Sequence, residues 1–182
     1  NNNNNNNNNN DIYYGITLIS NDINIPNWKK PLYDNKKIKI IYGKSNNGDL
    51  LNLENLIYFQ ANYKNTFNYI TADGGIDFSI DFNSQELLSN KLIISEIFYT
   101  IITQKIGGTF ILKIFDIFKY KTAEYIFLLS NLYHSVNIYK PNTSRIANSE
   151  KYIICKGYKG DIYNLSSKII KNYKEIINND VD

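Results

Sequence analysis

The chain has 182 residues, of which 43% are hydrophobic and 20% are charged, and its formal net charge is +3. This length allows one domain with a substantial core, and so small a positive charge does not by itself indicate nucleic-acid binding. A single cysteine excludes an internal disulfide framework, and a single histidine leaves no Cys/His metal cluster. There is neither an apolar run of the roughly 20 residues that a membrane helix needs nor a secretory signal at the start. We therefore expect a soluble, intracellular protein.

The first ten residues are all asparagine. Such a low-complexity run cannot bury apolar surface. We therefore predict that residues 1–10 are disordered and assign the folded domain to residues 11–182.

Short apolar runs and one helical pattern alternate in the next sixty residues. They predict strands at Tyr13–Leu18, Ile38–Tyr42 and Phe67–Ala72. A loop or broken helix is predicted at Asn24–Pro31, and an amphipathic helix that begins near Leu50 precedes the third strand. This order is typical of an α/β protein.

Two acidic residues follow these strands. Asp49 lies in a turn-rich segment after the second strand, where it could present a carboxylate to a ligand or cap the next helix. Asp73 follows the third strand and precedes Gly74-Gly75. This pattern is typical of a tight turn, and also of a place where the backbone approaches a ligand closely.

The longest helix is predicted at Gln85–Lys105, with Gly107-Gly108 as its stop signal, and the buried strand Thr109–Leu112 follows. Lys113 interrupts the apolar run near the C-terminal end of this strand. A charge there is costly unless it is paired or used, so Lys113 is either a snorkelling edge residue or a catalytic lysine.

The last predicted elements are a helix capped near Thr122, two strands and a closing helix, at Thr122–Tyr133, Val136–Tyr139, Lys151–Cys155 and Asp161–Ile177. His134 at the end of the first of these helices is interpreted as structural, because a cation is favoured there. Cys155 is interpreted as a small core residue.

Strands that alternate with helices predict an α/β fold with a mostly parallel sheet flanked by helices. In open sheets of this kind, ligands bind at the C-terminal ends of the strands. Because Asp73, Lys113 and Glu150 stand at strand ends or starts, we expect their side chains to meet in one cleft. A lysine flanked by two carboxylates can serve as a proton-transfer centre.

Three ordered segments resemble the FtsJ-type RNA ribose 2′-O-methyltransferases: TADGG at 71–75, GGTFILKIFD at 107–116 and TSRIANSEKYIICKG at 143–157. The third segment, together with GITL at 15–18, is similar to the branch that methylates capped mRNA. The resemblance covers 14–157 and implies a Rossmann-like, S-adenosylmethionine-dependent methyltransferase fold. The family's first strand and Gly-rich cofactor loop have no counterpart here, so the chain resembles the C-terminal two-thirds of such a domain.

The resemblance also implies roles for individual residues. Asp73, Lys113 and Glu150 match three members of the family's Lys-Asp-Lys-Glu tetrad, with Lys113 as the general base that takes the proton of the ribose 2′-hydroxyl. The implied cofactor contacts are Asp49, which matches the acid that recognises the adenine, together with Leu50 and Asp73. The implied substrate-binding residues are Asn83, Ser84, Gln85, Ser144, Arg145 and Asn148. Ile146 stands where the family usually has proline, which leaves this loop less rigid.

The implied reaction is 2′-O-methylation of the first transcribed nucleotide of capped mRNA with S-adenosylmethionine, and it needs alignment and a base but no metal. The alternatives are a ribosomal or transfer RNA substrate, and a non-catalytic scaffold that binds RNA or a capping complex. The expected partner is RNA, with other capping or transcription proteins as candidates; nucleus, cytoplasm and viral factory are not distinguished. Because nothing between Asn1 and Leu18 resembles a Gly-rich loop, we expect the chain alone to bind S-adenosylmethionine weakly and not to turn over.

Overall fold

The computed structural model of the protein describes residues 11–19, 28–75, 85–145 and 147–179. Residues 1–10, which were predicted to be disordered, lie outside the described residues. In chain order the described elements are β1 (Tyr13–Gly15), α1 (Lys30–Tyr33), β2 (Ile38–Ile40), α2 (Leu53–Tyr63), β3 (Phe67–Ala72), α3 (Gln85–Thr103), β4 (Gln104–Ile114), α4 (Tyr120–Leu132), β5 (Tyr133–Tyr139), β6 (Lys151–Tyr158) and α5 (Leu165–Asn179). The chain divides into two compact units, Asn1–Asp49 and Leu50–Asp182.

The first unit contains a parallel pair of short strands. Tyr13–Gly15 of β1 runs alongside Ile38–Ile40 of β2. Both strands stop earlier than the predicted Tyr13–Leu18 and Ile38–Tyr42. Of the predicted loop at Asn24–Pro31, residues 24–27 lie outside the described residues, and the rest leads into the four-residue helix α1.

The second unit contains a four-stranded sheet in the order β3-β4-β6-β5. β3 and β4 are parallel and are joined through α3, whereas β6 runs antiparallel to both of its neighbours. The predicted α/β fold is therefore confirmed, with a mixed pairing. Because β3 and β4 are parallel, their C-terminal ends lie at the same edge of the sheet, which is where a ligand is expected.

The helix starts differ from those predicted. The N-cap of α2 is Asn52, whose side chain accepts the Glu54 amide at 2.9 Å, so Asp49 does not cap this helix. The N-cap of α4 is Lys119, and Thr122 is buried in the first turn, so the predicted cap near Thr122 is wrong. His134 belongs to β5 and not to the end of a helix.

The predicted helix stop at Gly107-Gly108 is also wrong, because α3 ends at Thr103 and these glycines lie inside β4. The pairing between β3 and β4 jumps from Phe67–Gln104 to Tyr69–Thr109, so residues 105–108 form a bulge. Gly107 has φ +81°, and a Cβ on Gly108 would lie 2.8 Å from the carbonyl oxygens of Asn68 and Lys105. Glycine is therefore required in the bulge, where backbone approaches backbone.

The core lies between the four-stranded sheet and the helices. The largest fully buried side chains come from α2, α3, α4, α5 and from β4, β5 and β6: Leu56, Ile97, Ile102, Leu129, Leu132, Tyr173, Phe110, Leu112, Ile114, Tyr133, Ile153 and Tyr158. Cys155 is fully buried, and this burial raises the pKa of its thiol to about 12, which confirms its interpretation as a core residue. This packing fixes β4 and α3, the two elements that position the site below.

Within the described residues, no helix is both long and apolar enough to cross a membrane.

Candidate active site

Asp73 and Lys113 form an ion pair at the C-terminal edge of the parallel strands. The Lys113 Nζ lies 2.6 Å from the Asp73 Oδ1. Ala72 is aligned with Leu112 in the pairing of β3 with β4, so the residues that follow them lie level with one another. The Lys113 side chain is 14% exposed and that of Asp73 is 62% exposed. The pair therefore combines a largely buried amine with a carboxylate that is open to a ligand.

Glu150 contacts Tyr152, which was not among the residues predicted from sequence. β6 places Tyr152 directly opposite Lys113, and such residues have their side chains on the same face. The Tyr152 hydroxyl donates to Glu150 Oε1 at 3.2 Å. Burial, with the charges of Asp73 and Glu150, raises the pKa of Tyr152 to about 12, so the hydroxyl keeps its proton at neutral pH. Lys113 and Tyr152 thus share one face of the sheet, and Tyr152 in turn contacts Glu150.

Glu96 of α3 contacts the turn that follows β3 and was likewise not predicted. It is buried, and its Oε1 accepts the Gly74 amide at 2.9 Å. Burial raises the pKa of Glu96 to about 7; the Gly74 hydrogen bond and Lys113 oppose this shift, whereas Asp73 adds to it. The sequence signal for Glu96 is an acidic residue inside the apolar stretch Ile93–Phe98 of a helix.

Lys140 organises the loop that precedes β6. Its Nζ donates to the carbonyl oxygens of Asn148 at 2.5 Å and Glu150 at 3.0 Å, and to Ser144 Oγ at 3.4 Å. The Asn148 side chain accepts the Glu150 amide, and Arg145 is exposed. Two of the predicted substrate contacts, Ser144 and Asn148, therefore belong to one hydrogen-bonded loop that ends at Glu150.

A second ion pair ties together the loops at this edge. The Lys151 Nζ lies 3.2 Å from Asp116 Oδ1 and donates to the Ser149 carbonyl at 2.9 Å. It joins the segment after β4 to the start of β6. Lys151 therefore links the segment that follows β4 to the segment that precedes β6.

The family model of FtsJ-like methyltransferases matches residues 4–158. The chain belongs to the FtsJ-like methyltransferase family. The predicted family is thus confirmed.

Several relatives are named as cap-specific enzymes. The chain is 34% identical over 146 residues to the cap-specific mRNA (nucleoside-2′-O-)-methyltransferase 1 of Caenorhabditis elegans, a match that covers 78% of this chain and 16% of that protein. It is 32% identical over 142 residues to the cap-specific mRNA (nucleoside-2′-O-)-methyltransferase of Autographa californica nuclear polyhedrosis virus, covering 78% of this chain and 53% of that protein. It is 30% identical over 146 residues to the inactive cap-specific mRNA (nucleoside-2′-O-)-methyltransferase 1B of Caenorhabditis briggsae, covering 78% of this chain and 17% of that protein. The chain thus spans only part of these relatives.

A solved structure described as a ribosomal RNA methyltransferase from Plasmodium falciparum matches with a TM-score of 0.50 and 22% identity. The match covers 69% of this chain and 66% of that one. At this identity the likeness concerns the fold, and it confirms the predicted Rossmann-like methyltransferase fold.

FtsJ-like methyltransferases generally depend on S-adenosylmethionine, and the turn after β3 fits such a ligand. Among the described residues, no heavy atom lies within 4 Å of the position that a Cβ on Gly75 would take. The adjoining Asp73 carboxylate is exposed and can accept hydrogen bonds from, or attract, a cationic ligand. Among the described residues there is no group of three or more His, Cys, Asp or Glu side chains that could hold a metal.

The remaining predicted site residues belong to other segments of the chain or lie outside the described part. Asp49 is the last residue of the first unit, and its amide donates to the Asn47 side chain at 3.0 Å. Leu50 opens the second unit, and its carbonyl accepts the Tyr173 hydroxyl at 2.7 Å. Asn83, Ser84 and the side chain of Gln85 lie outside the described residues. The roles of these residues stay predictions.

Proposed function

We propose that this chain carries the catalytic machinery of an S-adenosylmethionine-dependent RNA ribose 2′-O-methyltransferase that acts on the first transcribed nucleotide of capped mRNA. The observation that carries the proposal is the largely buried Lys113 paired at 2.6 Å with the exposed Asp73, beside Tyr152 and Glu150. Relatives named as cap-specific mRNA methyltransferases over 78% of the chain support the substrate class.

In this proposal Lys113 is the general base. Only the neutral amine has a lone pair, so the ammonium first gives its proton to solvent. As the ribose oxygen forms its new bond to carbon, its O–H bond breaks and the proton passes to Lys113 Nζ. Asp73 then stabilises the ammonium that results.

S-adenosylmethionine, when bound, supplies the methyl group from its sulfonium and leaves as the neutral thioether. Asp49, Leu50 and Asp73 would hold it through carboxylate and backbone groups. The loop held by Lys140 would place the RNA, with Ser144, Arg145 and Asn148 as contacts, and Asn83, Ser84 and Gln85 complete the proposed substrate set. Arg145 is an exposed cation, as contact with a phosphate requires.

Replacement of Lys113 tests the proposal directly. In the full-length protein, Lys113→Ala should lower the rate of methyl transfer to capped RNA by roughly 10²–10⁴-fold, because a general base contributes about that much. Lys105→Ala is the matched control, since Lys105 is an exposed lysine on the same strand. Transfer of a labelled methyl group is measured beside circular dichroism and RNA binding, which should change little. Activity of Lys113→Ala within a few-fold of the wild type would refute the role.

A non-catalytic role is the second candidate, because one relative at 30% identity is named as inactive. That role predicts that the wild-type protein binds capped RNA without transferring a methyl group under any condition that supports a cap methyltransferase. The ion pair of Lys113 with Asp73 favours catalysis, since a scaffold has no need of a largely buried amine beside an exposed carboxylate.

The cap itself is tested with paired transcripts. We expect methyl transfer to capped RNA to be much faster than to the same RNA without a cap. Equal rates would favour a ribosomal or transfer RNA substrate.

A further inference from the structure

Glu96 is a buried carboxyl that the proposed reaction does not use. It is 7% exposed and sits on α3 among side chains that are almost fully buried, including Ile93, Ile94 and Ile97. Burying a carboxylate in such surroundings costs free energy unless hydrogen bonds or an opposite charge compensate for the lost solvation. The contacts of Glu96 provide this compensation.

The first contact is with the backbone of the turn after β3. Glu96 Oε1 accepts the Gly74 amide at 2.9 Å. A Cβ on Gly74 would lie 2.6 Å from that oxygen and 2.7 Å from Leu92 Cδ2, so a larger residue at position 74 would have to displace the ends of these two side chains. Asp73 is the residue immediately before Gly74, and its carboxylate holds Lys113. Glu96 therefore fixes the turn that carries the acidic partner of the lysine.

Glu96 also interacts electrostatically with the charged groups of the site. Among the described residues, the charged groups that act on Glu96 are Asp73 at the end of β3 and Lys113 on β4, and the charge of the same Asp73 acts on the Tyr152 hydroxyl of β6. Burial is the largest cause that raises the pKa of Glu96 to about 7. Near neutral pH the carboxyl thus exists in both protonation states, and its charge acts on Lys113.

We propose that Glu96 is a positioning residue, which holds the Asp73-Gly74 turn through the Gly74 amide and adjusts the charge balance at Lys113 by gaining or losing its own proton. The part that concerns charge rests on the proposed function, since the reaction it adjusts is the methyl transfer. When Glu96 is ionised, the site carries the negative charge of Glu96 in addition to that of Asp73. When Glu96 is protonated, this additional charge is absent.

Two substitutions separate the two parts of this proposal. Glu96→Gln removes the charge but keeps a carbonyl oxygen that can accept the Gly74 amide. Glu96→Leu removes the charge and the acceptor together and suits the apolar surroundings. Thr103→Val is the matched control, because Thr103 is a buried polar residue on the same helix whose hydroxyl bonds only to its own helix at Tyr99 O, 2.7 Å away.

The charge part is tested by the pH dependence of methyl transfer in the full-length protein. We expect the rising limb of the kcat/KM profile of Glu96→Gln to move to lower pH, because the lysine loses a neighbouring negative charge, while its plateau stays within a few-fold of the wild type. Thr103→Val should keep the wild-type profile. A Glu96→Gln profile that superimposes on that of the wild type would overturn the charge part.

The positioning part is tested by hydrogen exchange of the Gly74 amide, which does not depend on catalysis. We expect this amide to exchange at least tenfold faster in Glu96→Leu than in the wild type, and to stay protected in Glu96→Gln. Unchanged exchange in Glu96→Leu would overturn the positioning role. Because this measurement needs no turnover, its outcome is separate from failure of the proposed methyltransferase activity.

Discussion

Tyr152 shows how a single hydroxyl can join two parts of a site. It lies opposite Lys113 in the pairing of β4 with β6, and it donates to Glu150 Oε1. Because its pKa is raised to about 12, it stays a donor throughout the neutral range. Glu150 is thus oriented from the same strand that faces the lysine.

Tyr152→Phe should lower kcat about tenfold and lower the free energy of unfolding by no more than about 1.5–3 kcal/mol, the contribution of a hydrogen bond to a charged group. The substitution removes this hydrogen bond but retains the ring. Tyr163→Phe, in the segment between β6 and α5, is the control and should keep full activity, since Tyr163 is half exposed. An unchanged kcat for Tyr152→Phe would mean that Glu150 needs no orientation by this hydroxyl.

The pKa of Glu96 also predicts a pH dependence of stability. The folded carboxyl keeps its proton up to about pH 7, whereas the unfolded one ionises near 4.5. The folded state therefore binds more protons in this window, and the contribution to stability is fully present below pH 4.5 and lost as pH rises through 7. Relative to Glu96→Gln, the wild type should lose up to about 3 kcal/mol between pH 4.5 and pH 8. Urea unfolding of both proteins at a series of pH values measures this, and parallel pH dependences would contradict it.

For individual site residues, the sequence predicts which residue stands at the end of a strand but not which side chains it contacts. Asp73 and Lys113 could be predicted because both stand where parallel strands end, next to glycines or inside an apolar run. Tyr152, Glu96 and Lys140 could not, because each is defined by a contact across strand pairing, helix packing or a loop. Such contacts depend on register and tertiary structure, which local composition does not encode.

At the scale of elements, the bulge at residues 105–108 sets the register that brings the ends of β3 and β4 level. Gly108→Ala should destabilise the protein by about 1–3 kcal/mol, because its Cβ would lie 2.8 Å from two backbone oxygens that cannot move independently. Gly75→Ala is the control, since no atom of the described residues lies within 4 Å of its Cβ position. Denaturant unfolding compares the two, and equal destabilisation would show that the close approach in the bulge is not limiting.

The element boundaries that were predicted wrongly share one physical cause. A glycine pair after an apolar helical pattern is a common C-cap signal, yet α3 ends earlier because Gln104 pairs with Phe67. In the same way β6 continues to Tyr158, beyond the predicted end at Cys155, because Tyr158 pairs with Tyr133. The ends of strands are determined by their partners. The strand Phe67–Ala72, by contrast, was predicted with its observed bounds, since turn signals flank it on both sides.

At the scale of the whole molecule, β3 is an edge strand of the four-stranded sheet within the part of the chain that the structure describes. Among the described residues β3 pairs with β4 alone, and Tyr69 on β3 is 79% exposed. The unpaired N–H and C=O groups of an edge strand form a template for another strand. An exposed aromatic residue on such an edge adds apolar surface that favours the pairing.

We therefore expect the 182-residue chain, purified alone, to self-associate through β3 as its concentration rises. Tyr69→Lys should suppress this, because a charge on an edge strand opposes strand addition. Ile106→Lys is the control: Ile106 is also highly exposed, at 74%, but it lies in the bulge and not on the open edge. Light scattering coupled to size-exclusion chromatography should give the mass of one chain, 21.2 kDa, for Tyr69→Lys at all concentrations, and a rising mass for the wild type and for Ile106→Lys. If Ile106→Lys suppresses association to the same extent as Tyr69→Lys, the cause is general contact between apolar surfaces and not edge pairing.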